Sequence, residues 1–123
     1  MDENFRKQLE ENGADVDTTL KRFMGNETIY LKFIRKFLDD KNYEVIETSL
    51  AQNDYEAAFT GAHSLKGVAG NLGLNPVYEA ASEMSELLRN VKSTGVDAEE
   101  LQEAKAKLEE RYFKFQKIIE ENS

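Results

Sequence analysis

The chain has 123 residues, no cysteine and a net charge of −8, from 24 acidic and 16 basic side chains. This length is typical of one domain with a single hydrophobic core. The lack of cysteine excludes a disulfide framework and thiolate metal sites, and the acidic balance argues against a nucleic-acid partner. The polar N-terminus is unlike a signal peptide, and the apolar runs are too short to span a bilayer. We therefore expect a cytoplasmic protein without a metal site. We also expect it to be a monomer.

The first half of the chain shows helical periodicity, and no window has the alternation of a strand. A charged segment at about 2–11 comes first, and Asp17 is the predicted N-cap of a short helix. Asn26 is the predicted N-cap of a longer helix, which either runs to about Ala51 or breaks near Lys41. Its predicted inner face consists of Tyr30, Phe33, Ile34, Phe37 and Leu38.

The second half is predicted to contain three helices, the first at about 54–72. Gly73 ends that helix, Asn75 is the predicted N-cap of the next, and Pro76 is its first residue. Asp97 begins the last helix. The predicted inward residues of the last two helices are Ala80, Ala81, Met84, Leu87, Leu88, Val91, Leu101, Ala104, Leu108, Tyr112, Phe115 and Ile119.

Short loops between long amphipathic helices predict that neighbouring helices run antiparallel. The predicted fold class is all-α, an antiparallel four-helix bundle with additional short N-terminal helices. One domain spanning residues 1–123 accounts for the chain, because no linker, repeat or low-complexity segment divides it.

The only histidine, His63, is followed by Lys66, Gly67 and Gly70, and this spacing places all four on one strip of a helix. At about 100° per residue, Gly67 lies about 40° to one side of His63 and Gly70 about 20° to the other. The opposite arc is small and apolar, and consists of Ala58, Gly61, Ala62, Leu65, Val68, Ala69 and Leu72. We therefore expect the helix to bury that arc and His63 to point into solvent.

The strip has two interpretations. A neutral imidazole nitrogen is a nucleophile, and Lys66 can hold a phosphoryl group by a charge-assisted contact. Each glycine costs the helix about 0.8–1 kcal/mol relative to alanine. Gly67 and Gly70 either leave clearance for another protein's active site to approach His63, or let two helices of this chain pack closely. The spacing is equally compatible with both.

The run around His63 resembles the signature of histidine-containing phosphotransfer (HPt) domains, which is His-x-Leu-Lys-Gly, then small residues, then Leu-Gly. The matching residues are His63, Leu65, Lys66, Gly67, Ala69, Leu72 and Gly73. The stretch from Leu20 to Leu31 is similar to the family's entry into its first long helix. The resemblance extends from about Val16 to about Leu88, and it implies a helical bundle.

The resemblance also implies a phosphorelay function. His63 would take a phosphoryl group from a receiver-domain aspartate and pass it to another receiver, with response regulators and a hybrid sensor histidine kinase as partners. Lys66 would stabilise the phosphoryl group, and Gly67 and Gly70 would provide clearance for docking through a local apolar patch. Mg²⁺ is expected on the receiver. We expect a free-standing carrier and not an enzyme, because the chain has no ATP-binding motif.

One position departs from the family pattern. Family members often carry glutamine on the next helix, facing the histidine, and the corresponding residue here is Ser85. Because serine is shorter, either Ser85 orients the His63 ring, directly or through water, or another residue does so.

Two other functions remain open on the residues alone. One is an interaction module that binds a receiver or another helical partner without being phosphorylated. The other is an enzyme with paired carboxylates inside the bundle, but the acidic residues map mostly to solvent faces and no inward Glu-x-x-His pair occurs.

Overall fold

The computed structural model describes residues 1–91 and 94–123 in full and residues 92–93 by their backbone alone. The described backbone is helical and has no strand, which confirms the all-α fold class. Its elements are α1 (Glu3–Glu11), α2 (Val16–Arg22), α3 (Glu27–Lys36), a 3-10 helix (Phe37–Asp39), α4 (Asn42–Ala51), α5 (Tyr55–Leu72), α6 (Asn75–Arg89), α7 (Val91–Thr94) and α8 (Ala98–Glu121). None of these helices, over the described residues, is long and apolar enough to cross a membrane.

Helix α5 packs against α4 on one side and α6 on another, and α8 packs against α6. Short connections on both sides of α5 make it antiparallel to its two sequence neighbours. Helices α6 and α8 are also antiparallel. Lys107 Nζ lies 2.9 Å from Glu83 Oε2, and one turn later Arg111 donates a hydrogen bond to the Pro76 carbonyl at 3.0 Å.

The buried face of α5 is the predicted apolar arc. Its fully buried members are Ala58, Gly61, Ala62, Leu65, Ala69 and Leu72. Val68 is half-buried at the edge of this face. Because burial of apolar area stabilises the fold by about 25 cal/mol per Å², this face sets the rotation of α5 about its axis.

Gly61 lets α4 and α5 approach closely. A Cβ atom at this position would lie 3.0 Å from Ile46 Cγ1 and 3.2 Å from the Asn42 carbonyl oxygen. The carbon–carbon distance is shorter than the ordinary value of about 3.5–4.0 Å, and the contact with the carbonyl oxygen is also tight. A side chain at Gly61 would therefore require Ile46 or the backbone of α4 to shift.

Residues of the N-terminal segment provide hydrogen-bond donors to the carbonyl groups at the C-terminal end of α5. Gly73 has a φ of 72° and forms the left-handed cap of the helix. Its carbonyl accepts a hydrogen bond from the Asp15 backbone at 2.9 Å. The Arg22 guanidinium donates hydrogen bonds to the carbonyls of Gly70 and Asn71 at 2.7 and 3.1 Å, in the last turn of α5, where helix carbonyls lack the usual partner four residues on. The positive charge of Arg22 also interacts favourably with the negative end of the helix dipole.

The cap of α2 differs from the prediction. Asp15, not Asp17, is the N-cap, and its carboxylate accepts a hydrogen bond from the Thr18 amide at 3.0 Å. This bond holds the pKa of Asp15 below its usual value. Asp17 lies in the first turn and pairs with Arg6 instead. The helix begins earlier because Val16 is buried as its first residue.

The start of α6 also differs. Its N-cap is Leu74, Asn75 is already helical, and no side chain caps this end. Leu74 is fully buried, so apolar burial sets this boundary in place of a polar cap. Pro76 lies in the first turn, where its missing N–H costs no hydrogen bond. At the other end, α6 stops at Arg89, and Val91 begins the separate helix α7.

The predicted long helix after Asn26 is interrupted before Asn42, which is one of the two predicted alternatives. Asn26 is the N-cap of its first part, α3, as predicted. Phe33, predicted on the inner face, is 42% exposed. It lies about 60° around the helix from Tyr30, at the edge of the buried face. Its ring stacks on Phe23, with 5.4 Å between centroids. Asp97 caps α8 as predicted.

We predict that Gly61→Leu lowers the free energy of unfolding by about 1–3 kcal/mol, because the new side chain would overpack the α4–α5 interface. Gly67→Leu, on the same helix, is the matched control, since a Cβ there meets nothing within 4 Å. Urea unfolding followed by circular dichroism measures both. Equal stability of the two variants would contradict the close approach of α4 and α5.

Candidate functional site

His63 is exposed on the side of α5 opposite its buried face, as predicted. Among the described residues, none hydrogen-bonds or ion-pairs with its ring. The ring stacks on Phe59, one turn earlier on α5, with centroids 5.9 Å apart and planes at 19°. Because stacking uses the face of the imidazole, both ring nitrogens remain at a free edge. His63 can therefore present a nucleophilic nitrogen to a partner.

Lys66 lies beside His63 and leans toward α6. Its Nζ atom is 5.8 Å from the ring centroid of Tyr78, within the range of a cation–π contact. A shallow surface pocket of about 260 Å³ lies here, lined by His63, Lys66, Gly67, Gly70, Asn71 and Tyr78. The structure thus brings the four predicted strip residues together, with Lys66 as the cation of the pocket.

Tyr78 and Phe59 are site residues that the sequence analysis missed. Tyr78 lies in the first turn of α6, across a short connection from Gly70. An aromatic residue directly after a helix–turn–helix junction was a usable signal for Tyr78. Phe59 precedes His63 by four residues, the spacing at which two side chains of one helix meet.

The two strip glycines have different surroundings. A Cβ atom on Gly67 would meet nothing within 4 Å, so Gly67 leaves open space beside His63. A Cβ atom on Gly70 would lie 3.2 Å from Tyr78 Cδ2. The structure therefore favours clearance at Gly67, whereas at Gly70 it favours the alternative of close packing between helices, in this case α5 against α6.

Ser85 makes no direct hydrogen bond to the histidine. It is buried on the inner face of α6, at 1% exposure, and its Oγ atom has no hydrogen-bond partner among the described residues. His63, in contrast, points outward from α5. The structure therefore shows no direct hydrogen bond from Ser85 to the ring, because the apolar face of α6 carries Ser85 into the core with Met84 and Leu88. Orientation of the ring by Ser85 through water stays a prediction.

An apolar groove borders the strip on the α3 side. A surface cavity of about 510 Å³ there is lined by Phe33, Lys36, Phe37, Asp39, Asp40, Val68, Asn71 and Leu72. Asn71 lines both this groove and the His63 pocket, so the two surfaces are continuous. The half-exposed ring of Phe33 makes the groove an apolar patch next to the histidine strip.

Comparison with protein-family models matches residues 33–112 to the Hpt domain. The match covers more than half of the chain and includes all of α4, α5 and α6. It begins later than the resemblance noted from Val16 and continues beyond Leu88. Comparison with curated proteins and with solved structures gave no match. The chain therefore belongs to the family of Hpt domains, the phosphoryl carriers that perform histidine phosphotransfer in phosphorelays.

Proposed function

We propose that the protein carries a phosphoryl group on His63, which it accepts from the aspartyl phosphate of one receiver domain and passes to a second receiver. The observation that carries this proposal is the exposure of the only histidine on α5, inside the segment matched to the family. A hybrid sensor histidine kinase supplies the first receiver and a response regulator the second. The protein acts as a cytoplasmic monomer.

The transfer is a displacement at phosphorus. A neutral ring nitrogen of His63 attacks the phosphorus atom, and a P–N bond forms as the P–O bond to the aspartate breaks. The carboxylate leaves with the bonding electron pair, and the proton on the other ring nitrogen is released to solvent. In the return step, that ring nitrogen takes up a proton from solvent, the carboxylate of a second receiver attacks the phosphorus atom, and the P–N bond breaks to leave the neutral imidazole. Such a reaction depends mainly on positioning and electrostatic stabilisation.

Lys66 is the residue of this protein that supplies a positive charge to the phosphoryl group during transfer. In the resting protein its amine lies near the Tyr78 ring, at the edge of the pocket that His63 also lines. A rotation of its flexible side chain brings the ammonium to the phosphoryl oxygens. Mg²⁺, which is expected on the receiver, would neutralise phosphoryl charge from the receiver's side.

The receiver approaches over Gly67, where the surface of α5 is open. The neighbouring apolar groove, with Phe33 and Val68, offers area that a receiver can bury. The net charge of −8 gives no general attraction to an acidic receiver pocket. Docking therefore relies on this local apolar surface and on Lys66.

We predict that His63→Gln folds like the parent and accepts no phosphoryl group, because the chain has no other histidine. An exposed substitution of this kind changes stability by less than about 0.5 kcal/mol. The assay is incubation with a ³²P-labelled receiver, followed by gel analysis with and without acid treatment, since a P–N bond is acid-labile. Ser64→Ala, the exposed neighbour, is the control and should keep its label.

Label on His63→Gln, or an acid-stable label on the parent, would contradict the proposal. A parent protein that binds the receiver yet never becomes labelled would instead be an interaction module.

We predict that Lys66→Ala slows transfer or shortens the lifetime of the phosphorylated protein by about ten- to a hundredfold. This corresponds to the loss of a charge-assisted contact of about 1.5–3 kcal/mol. The melting temperature should change little, because Lys66 lies outside the core. Rapid-quench transfer and decay of the phosphorylated form measure the effect. Lys117→Ala, an exposed lysine of α8, should behave as the parent; an equal effect of both variants would mean that only net charge matters.

We predict different changes in melting temperature for Gly67→Gln and Gly70→Gln. Gly67→Gln should melt at the parent temperature or higher, because it removes a helix glycine in open space, yet transfer poorly because its side chain blocks the receiver. Gly70→Gln should gain less in melting temperature than Gly67→Gln, because its Cβ atom would lie 3.2 Å from Cδ2 of Tyr78 and that ring has to shift. Thermal unfolding and receiver-to-His63 transfer on the same samples test both, and a destabilised Gly67→Gln would refute the open docking surface.

A further inference from the structure

The orientation of the His63 ring is not explained by a hydrogen bond. An exposed side chain on a helix can occupy more than one rotamer, so a ring that must meet a receiver in one geometry needs a constraint. No described residue hydrogen-bonds the ring, and Ser85 is buried with its hydroxyl unpaired. Among the described contacts of the ring, the stack on Phe59 can supply such a constraint.

Phe59 makes that contact. Its ring lies nearly parallel to the imidazole of His63, with 5.9 Å between centroids and 19° between planes. This separation is within the range of 4.5–7 Å that stacked aromatic pairs adopt. Unlike His63, Phe59 is half-buried and packs against the hydrophobic core, so the bundle fixes its position.

A cation from the next helix also holds Phe59. The guanidinium carbon of Arg89, on α6, lies 5.7 Å from the centroid of the Phe59 ring. Arg89 is held in turn by Glu86, with 2.9 Å between Nη2 and Oε1. The ring of Phe59 is therefore positioned by both α5 and α6, and His63 rests on a surface that two helices define.

We propose that Phe59 is the positioning residue for His63, and that its ring orients the imidazole by stacking in place of a side-chain hydrogen bond. The inference rests on the proposed phosphoryl transfer at His63.

Stacking differs from a hydrogen bond in its consequence for the histidine. A hydrogen bond to one ring nitrogen would occupy that atom and select one tautomer. Contact with the ring face restricts rotation and leaves both nitrogens free. His63 can then accept and release a phosphoryl group without breaking a hydrogen bond between its ring nitrogen and another side chain.

The test compares Phe59→Leu, which removes the aromatic ring, with Phe59→Tyr, which keeps it. Phe59 borders a surface cavity of about 580 Å³, which has room for the tyrosine hydroxyl. Phe113→Leu is the matched control, because Phe113 is 42% exposed and its described ring contacts are with Tyr43 and Tyr112. Phe59→Met replaces Phe59→Leu if the latter melts below the assay temperature.

Single-turnover transfer from a phosphorylated receiver is measured over a range of receiver concentrations. We expect Phe59→Leu to lower the saturating rate about two- to tenfold, the equivalent of one aromatic pair, and to leave the half-saturating concentration unchanged. Phe59→Tyr should restore the rate, and Phe113→Leu should match the parent. A parent-like rate for Phe59→Leu, a change only in half-saturation, or no rescue by tyrosine would overturn the inference.

A second measurement does not require transfer. With one histidine in the chain, its two ring C–H signals in the NMR spectrum are assigned directly. Phe59→Leu should move both signals toward those of a free histidine, and Phe113→Leu should not; unchanged signals in Phe59→Leu would refute the stack. Failure of the parent to accept a phosphoryl group would refute the proposed function alone.

Discussion

Burial of one face of α5 is the constraint on which the site depends. Ala58, Ala62, Leu65 and Ala69 are fully buried between neighbouring helices, so α5 cannot turn about its axis without exposing them. At about 100° per residue, this rotation directs His63, Lys66 and Gly67 outward together. The reactive group is thus placed by residues that never touch it, and a rigid helix holds it more precisely than a loop would.

Contacts with neighbouring segments then fix the position of α5. Helix α4 approaches at Gly61, and α6 approaches at Gly70 through the ring of Tyr78. The N-terminal segment contacts the C-terminal end of α5. There the Arg22 guanidinium donates hydrogen bonds to two helix carbonyls, and the Asp15 backbone N–H donates one to the Gly73 carbonyl. Segments far from His63 in sequence therefore set the end of the helix that bears the site.

The three glycines within α5 show how one residue type serves different purposes. Gly61 is enclosed by α4, Gly70 is in contact with an aromatic ring of α6, and Gly67 faces open space. All three carry the same loss of helix propensity. Two of them offset that loss through closer packing, and only Gly67 has no packing reason, which is why it supports a docking surface.

The sequence by itself determined the helices and the direction of His63, because a 3.6-residue period of small and apolar residues predicts which face of a helix is buried. Local signals also predicted the caps at Asn26 and Asp97, since an N-cap depends on residues within one turn. Only the tertiary structure decided the surroundings of Gly70, the burial of Ser85 and the contacts of Tyr78 with Lys66, because these depend on how α5 and α6 pack. The stack of Phe59 on His63 is local in sequence, but Arg89 and the core hold it in place, and neither contact follows from spacing along one helix.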